Sequence, residues 1–335
     1  MYQGAENRYE VMEYRRCGRS GVLLPKISLG LWQNFGLEKP LEDQREILCG
    51  AFDLGITHFD LANNYGYPAV GLAEENFGKI LKSDLGVYRD ELFISTKAGF
   101  ENWPGPYGNW GSRKYLTASL DASLKRMGLD YVDVFYHHRP DPETPLEETM
   151  EALSDIVRRG KALYVGISNY LAPEAERAIS ILKANHTPCL LHQPRYNLFE
   201  RWVEDDLLGI LDREGVGCIC YSPLAQGALT DKYLKGIPGG SRASRAGTTV
   251  ASRYLTQERL GQIERLNQIA GERGQTLAQM ALTWVLRRPE VTSVLIGASS
   301  LAQLKANTKI LSQPALGAEE LKAIDEVLKT QEAGR

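Results

Sequence analysis

Long apolar runs are missing from this sequence. None approaches the roughly 20 residues that a membrane span needs, and the opening "MYQGAENRYEVMEYRRC" has no apolar core of the kind a secretory leader carries. An excess of one charge is missing too. The 335 residues carry a formal net charge of -3, which leaves no electrostatic footprint for nucleic acid or an acidic membrane. Cysteine is sparse: the five thiols, Cys17, Cys49, Cys189, Cys218 and Cys220, include no Cys-x-x-Cys pair. An odd number without a framework points to reduced thiols and a cytoplasmic setting. Cys218 and Cys220 alternate along an apolar run and read as packing residues, because no histidine stands at finger-like spacing to make them metal ligands. No Gly-x-Gly-x-x-Gly follows a strand-like run, which removes the main signature of an open dinucleotide-binding sheet. Gly-x-Ser-x-Gly, an ordered Ser-His-Asp set and a metal-ligand cluster are absent as well.

What is present is an alternation. Short β-rich apolar runs recur: "ISLGLW" (27–32), "HFDLA" (58–62), "LFISTKA" (92–98), "YVDVFYHH" (131–138), "ALYVGISN" (162–169), "CLLHQ" (189–193), "GCICYSP" (217–223) and "SVLIGAS" (293–299). Helical patterns separate them. In "PLEETMEALSDIVRRG", Leu146, Met150, Leu153 and Val157 fall on one helix face. Gly55, Gly86, Gly128, Gly160 and Gly215 stand just past such stretches, where a left-handed residue ends a helix. Strand alternating with helix implies right-handed crossovers and a parallel sheet, and eight such units close into a (β/α)8 TIM barrel. "MEYRRCGRSGVLLPKIS" adds an N-terminal β-hairpin across the barrel floor, turning at Gly18–Gly21. Residues 224–255 form a long glycine-rich and basic loop after strand seven, and a loop of that length inside a compact domain is functional or disordered. No linker or low-complexity segment divides the chain, so residues 1–335 read as one domain.

In such a barrel the active site lies at the C-terminal ends of the strands. The strand ends here carry Asp60 with Tyr65 beyond it, Lys97, His138, Ser168 and Asn169, Gln193, Tyr221 and Ser222, and Ser299. A lysine on a buried parallel strand needs a partner, and Asp60 on the neighbouring strand supplies it. A cation beside the Tyr65 phenol is expected to lower its pKa from about 10, making it a proton donor to a carbonyl oxygen near neutral pH. His138 can donate a hydrogen bond to the same oxygen. A nucleophile for the carbonyl carbon is lacking among the residues, and hydride from a bound nicotinamide would fill that role.

These residues stand in motifs, "FDLANNYG", "STKAG", "YHHRPD", "GISNY", "HQPRYN", "YSPLAQG" and "LIGASSLAQLKAN", whose order resembles the aldo-keto reductases from about residue 13 to 328. The resemblance implies a catalytic tetrad of Asp60, Tyr65, Lys97 and His138, with Tyr65 as the acid. It implies NADPH as cofactor. Ser168, Asn169 and Gln193 would hold its carboxamide, and Tyr221 would stack on the nicotinamide. Ser222, Pro223, Leu224, Gln226, Gly227, Lys232 and Arg242 would cover the pyrophosphate and ribose. Gly297, Ser299, Gln303 and Asn307 would hold the adenosine end, and Gly30 and Trp32 would lie near the nicotinamide and the substrate mouth. Gln303 stands where many members carry an arginine for the 2′-phosphate, which leaves the loop arginine to support that group.

For the substrate, Trp103, Tyr107 and Trp110 in "AGFENWPGPYGNWGSRKY" either wall the pocket or pack against another subunit. The tail after Ala318 is one short helix, too little to build a deep apolar pocket, which favours small polar aldehydes such as glyceraldehyde 3-phosphate or methylglyoxal. Arg139 and Arg113 are each a phosphate partner or a structural ion pair. The resemblance implies a homo-oligomer, a tetramer or octamer. The rival reading is a cofactor-binding regulatory subunit of a membrane channel.

Overall fold

The computed structural model describes residues 2–66, 68–245 and 248–329. A hairpin of β1 (Tyr14–Arg16) and β2 (Leu23–Pro25) precedes eight parallel strands: β3 (Ile27–Gly30), β4 (His58–Asp60), β5 (Phe93–Ala98), β6 (Val132–His137), β7 (Ala162–Ser168), β8 (Cys189–Gln193), β9 (Gly217–Tyr221) and β10 (Val291–Ile296). The barrel closes in the order β10-β3-β4-β5-β6-β7-β8-β9, so all eight apolar runs of the sequence become its staves.

The helices form the outer layer. They are α1 (Leu41–Asp53), α2 (Leu72–Ile80), α3 (Arg113–Met127), α4 (Leu146–Arg158), α5 (Ala172–Ala184), α6 (Leu207–Glu214), α7 (Val250–Tyr254), α8 (Gln257–Glu272), α9 (Leu277–Leu286), α10 (Leu301–Thr308) and α11 (Ala318–Lys329). The expected stripe of α4 faces inward: Met150 and Leu153 are fully buried, and Leu146 and Val157 pack against the same core. Caps mark the ends. The Ser112 side chain accepts from the Tyr115 amide at the start of α3, and Gly128 takes the left-handed conformation at its end.

Gly55, Gly128, Gly160 and Gly215 all have positive φ, as a helix stop requires. Gly86 does not. Its φ is -62°, because α2 runs on through a π turn at Leu81–Leu85 into a tight turn at Gly86–Glu91 and the chain never leaves the right-handed region there.

The hairpin seals the floor. Cys17 and Leu24 pack with Val134, Tyr136, Leu191, Ile219 and Leu295 inside the barrel. Gly18 is required at its turn: its φ is +53°, and a Cβ there would lie 2.1 Å from the Gly215 carbonyl oxygen. The segment after β9 is more ordered than a bare loop, with short turns at Ala225–Gly227, Asp231–Tyr233 and Arg242–Ser244 before α7. Ala246 and Gly247 of that segment, and Thr330 after α11, lie outside the described residues.

Candidate active site

Alternation along two adjacent strands builds the floor of the site. On β4, Phe59 faces outward onto Phe77, so His58 and Asp60 face the barrel interior. On β5, Thr96 faces outward and donates to Glu74, so Ser95 and Lys97 face inward. Register pairs Asp60 with Gly30 on one side and Ser95 on the other. Lys97 Nζ donates to Asp60 Oδ2 and to the Leu61 carbonyl, both at 2.5 Å, and both side chains of the ion pair are 0 % exposed. Asp60 Oδ1 accepts from Ser95 Oγ at 2.7 Å and from Gln193 Nε2 at 3.2 Å.

The turn "LANNYG" is held against this pair. The Asn63 amide donates to the Lys97 carbonyl, and its side chain donates to Tyr115 and Ser119 on α3. Gly66 turns the chain into α2 with φ +114°, where a Cβ would lie 2.5 Å from the Ala73 nitrogen. Tyr65 is thereby presented to the barrel mouth. Lys97 Nζ lies 5.0 Å from its ring centre, the His138 ring lies 6.0 Å away edge-on, and the Trp32 ring lies 6.5 Å away at a tilt.

The electrostatics differ from expectation at one point. Burial pushes the Tyr65 phenol well above its usual value, and Asp60 and Tyr221 push the same way. Lys97 does not lower it, since its charge is neutralised by Asp60 at 2.5 Å. Burial also lowers Lys97, with Asp60 opposing. His138 is driven well below the usual imidazole range by burial, then by Lys97, His137 and Arg139, so it is a neutral ring whose Nδ1 has no hydrogen-bond partner.

A second set of groups connects to the first. Asn169 Nδ2 donates to the His138 carbonyl at 2.9 Å, Tyr221 donates to Asn169 Oδ1 at 2.6 Å, and Ser168 donates to the Gln193 carbonyl at 2.8 Å. The backbone here is strained: Asn169, Ser222, Ala225 and Gln226 all have positive φ without being glycine, a pattern that concentrates at functional sites. Pro223 is buried, while Leu224 and Gly227 are half-buried alongside. The segment after β9 also reaches over the mouth. The Arg242 guanidinium sits 5.4 Å from the Trp32 ring, and Arg245 pairs with Glu38 at 2.8 Å. Lys232 is exposed.

A third group follows β10. Exposed Gly297 leads to Ser299, whose amide and hydroxyl both donate to Gln303 Oε1 at 2.8 and 3.0 Å; Asn307 is buried with its Nδ2 unpartnered.

The loop after β5 splits its aromatics. Trp103 packs on Tyr115 and Trp110 stacks on Arg139, whereas Tyr107 is exposed. Arg113 is a structural ion pair, bonded to Glu151 and Asp155. Arg139 instead lies between Phe100 and Trp110, 4.2 and 3.7 Å from their ring centres, and donates to Gly99 and Asn109. Sequence reasoning missed the polar residues one step deeper in the barrel, His58, Ser95, Ser28 and Ser293, although the two-residue period places His58 and Ser95 directly below Asp60 and Lys97.

The model of the Aldo/keto reductase family matches residues 26–329, a span that contains every residue of the site. The chain belongs to the aldo/keto reductase family. Among its relatives, L-glyceraldehyde 3-phosphate reductase of Escherichia coli (strain K12) is 56% identical over 323 residues, covering 95% of this chain and 93% of that protein. A probable voltage-gated potassium channel subunit beta of Oryza sativa subsp. japonica is 38% identical over 325 residues, covering 96% and 98%. A putative subunit of the same kind from Schizosaccharomyces pombe is 40% identical over 325 residues, covering 94% and 93%. The protein is thus an oxidoreductase of the aldo/keto reductase family, whose members in general use nicotinamide cofactors. Among the described residues no helix is long and apolar enough to cross a membrane.

Proposed function

We propose that this aldo/keto reductase reduces small polar aldehydes to alcohols with NADPH, and that Tyr65 is the general acid. The observation that carries the reading is the fully buried Lys97–Asp60 pair set beneath Tyr65 and His138 at the barrel mouth. The residues fit a phosphate-bearing cofactor. Lys232 and Arg242 have no carboxylate partner among the described residues, and the buried Asn307 Nδ2 and Ser241 Oγ lack partners. When bound, the reduced nicotinamide supplies hydride.

The protein's own groups do the rest. Tyr65 keeps its proton at neutral pH and hands it to the carbonyl oxygen as that oxygen becomes an alkoxide. An alkoxide is far more basic than a phenolate, so the transfer needs no lowered phenol pKa. Neutral His138 donates one N–H to the same oxygen and orients it. Ser168, Asn169 and Gln193 would hold the carboxamide and Tyr221 would stack on the ring, while Ser222, Pro223, Leu224, Gln226, Gly227, Lys232 and Arg242 would cover the pyrophosphate and ribose. Gly297, Ser299, Gln303 and Asn307 would take the adenosine end. Gly30, Trp32 and Trp103 border the substrate.

The relative named for glyceraldehyde 3-phosphate supports a phosphorylated three-carbon aldehyde, with methylglyoxal as a smaller alternative. Arg139, which bonds no carboxylate among the described residues, is the candidate for its phosphate. The five free, buried thiols suit the cytoplasm, and the reading includes a homotetramer or homo-octamer.

Tyr65→Phe is the direct test. It is expected to lower kcat for NADPH-dependent reduction by about 10²–10⁴-fold while cofactor binding, followed by fluorescence, stays nearly intact. Loss of binding, or unchanged turnover, overturns the role. The matches to channel subunits favour a second reading, a cofactor-binding regulatory subunit. Absence of turnover across small aldehydes, with NADPH still bound, would select it.

A further inference from the structure

Beneath the ion pair, a file of hydrogen bonds crosses the barrel interior. Ser293 Oγ lies 2.7 Å from Ser28 Oγ, Ser28 Oγ lies 3.0 Å from His58 Nδ1, His58 Nε2 lies 3.0 Å from Ser95 Oγ, and Ser95 Oγ donates to Asp60 Oδ1 at 2.7 Å. Every member is 0 % exposed, so no water competes for these bonds. β10, β3, β4 and β5 each contribute to it in spatial order.

Counting protons gives the file a direction. The Asp60 carboxylate only accepts, so Ser95 spends its one hydroxyl proton on it. Ser95 Oγ must then accept from His58, which puts a proton on Nε2. In a neutral ring Nδ1 is then the acceptor, so Ser28 donates to it, and Ser293 in turn donates to Ser28. All four dipoles therefore point one way, at the carboxylate that holds Lys97.

The surroundings keep the ring neutral. Among the described residues the charged groups acting on it are Asp60 on its own strand and Lys97 on β5, with opposite effects; β3 meets it through Ser28, which Ser293 of β10 bonds in turn, and Phe93 meets the ring edge at 5.4 Å. Burial dominates and pushes His58 down to about 4.

We propose that His58 is a positioning residue: a neutral, Nε2-protonated imidazole that aligns Ser293, Ser28 and Ser95 into one directed hydrogen-bond file ending on Asp60, and so sets the charge and place of the Asp60–Lys97 pair under Tyr65. The geometry of the file stands by itself; its consequence for turnover rests on the proposed reductase function.

Two measurements test it. Nitrogen-15 NMR of the full-length protein, with the His58 signal assigned by its loss in His58→Gln, is expected to show the Nε2–H tautomer unchanged over the range where an ordinary histidine titrates, about pH 5 to 8. An Nδ1–H tautomer, or a titrating ring, overturns the proposal whatever the protein catalyses. The second measurement is the pH profile of alcohol oxidation with NADP⁺, in which Tyr65 must give up its proton before accepting the substrate's. Ser95→Ala removes one of the donors to Asp60, and His58→Leu leaves Ser95, which still donates to Asp60, without the N–H that polarises its hydroxyl; both strengthen the field of the carboxylate at the phenol. Each is expected to move the rising, acid-side limb, along which Tyr65 loses its proton, up by about one pH unit, the double variant no further than the larger single one, and His58→Gln, which keeps an N–H, by less. Melting temperatures lowered without any shift of the limb would mean that the file is only structural, and additive shifts would mean that it is not one unit. If no alcohol is oxidised, the reductase reading fails and the NMR result alone decides the file.

Discussion

The floor of the site and its cover are built in opposite ways. On the floor, Asp60, Lys97, Ser95 and His58 are fully buried, and each polar atom that matters has a protein partner at hydrogen-bond distance. The proposed cofactor cover is drawn from residues 222–245 and 297–307. It leaves Lys232, Ser299 and Gln303 exposed, Asn307 Nδ2 and Ser241 Oγ unpartnered, and strained backbone at Ser222, Ala225 and Gln226. Strand register fixes the first set before anything binds, which is what a proton donor needs, since placement errors near 1 Å are costly to a reaction. The second set keeps part of its hydrogen-bonding capacity unspent, at Asn307 Nδ2 and Ser241 Oγ, which suits the large removable cofactor proposed for it.

The contrast breaks most visibly at Lys97. Lys97→Met keeps the volume but strands the Asp60 carboxylate in the barrel without its cation. Removing one partner of a buried pair costs ~3–5 kcal/mol, so urea unfolding should shift by that much and aldehyde reduction should disappear. A variant that kept its stability to within about 1 kcal/mol would show that the floor is not organised around this pair.

Acid should also attack the floor. Burial lowers His58, His137 and His192 to about 4 each. The unfolded chain binds their protons near 6.5, so between about 6.5 and 4 it holds more protons than the fold does. Stability from these rings is therefore complete above about 6.5 and is lost as pH falls toward 4, by up to about 3 kcal/mol per ring. Urea unfolding at about pH 7.5, 6 and 5 should show a flat upper limb and a steep fall below. A His58→Gln variant should fall less steeply. Equal slopes in the two proteins would mean that His58 carries no such load.

How much of this was legible follows from which interactions are local. The eight strands and the stripe of α4 could be read because apolar periodicity is a local property of the chain. The polar groups at the strand ends were found because a barrel puts all those ends on one rim. Gly86 misled because a glycine after a helix is the same letter whether the chain reverses or winds on; only the turns at 81–91 decide it. Arg113 was undecided because Glu151 and Asp155 belong to the next helix over. The phenol of Tyr65 was expected to be lowered because a lysine was counted as a charge. In the fold it is half of a neutral pair, and burial wins. His58 and Ser95 were passed over because only the last inward residue of each strand was counted; the same period of two, taken one step further down, reaches both.

The cover gives the smallest expected effect and the sharpest use of it. Gln303 spends its Oε1 on the Ser299 amide and hydroxyl, which leaves its Nε2 as a donor without charge. Arg242 is a cation with no carboxylate partner among the described residues, and its guanidinium rests 5.4 Å from the Trp32 ring. A hydrogen bond to a charged group contributes about 1.5–3 kcal/mol, so Arg242→Ala should weaken NADPH binding by roughly ten- to a hundredfold. Gln303→Ala should weaken it only by a few-fold, since a neutral bond is worth about 1 kcal/mol. Neither should move the unfolding midpoint, because neither side chain closes a partner's hydrogen bond on the floor. Fluorescence titration with NADPH and with NADH separates the remaining possibilities. A loss confined to NADPH places the arginine on the 2′-phosphate, an equal loss for both cofactors places it on the shared pyrophosphate, and no loss for either removes Arg242 from the cover.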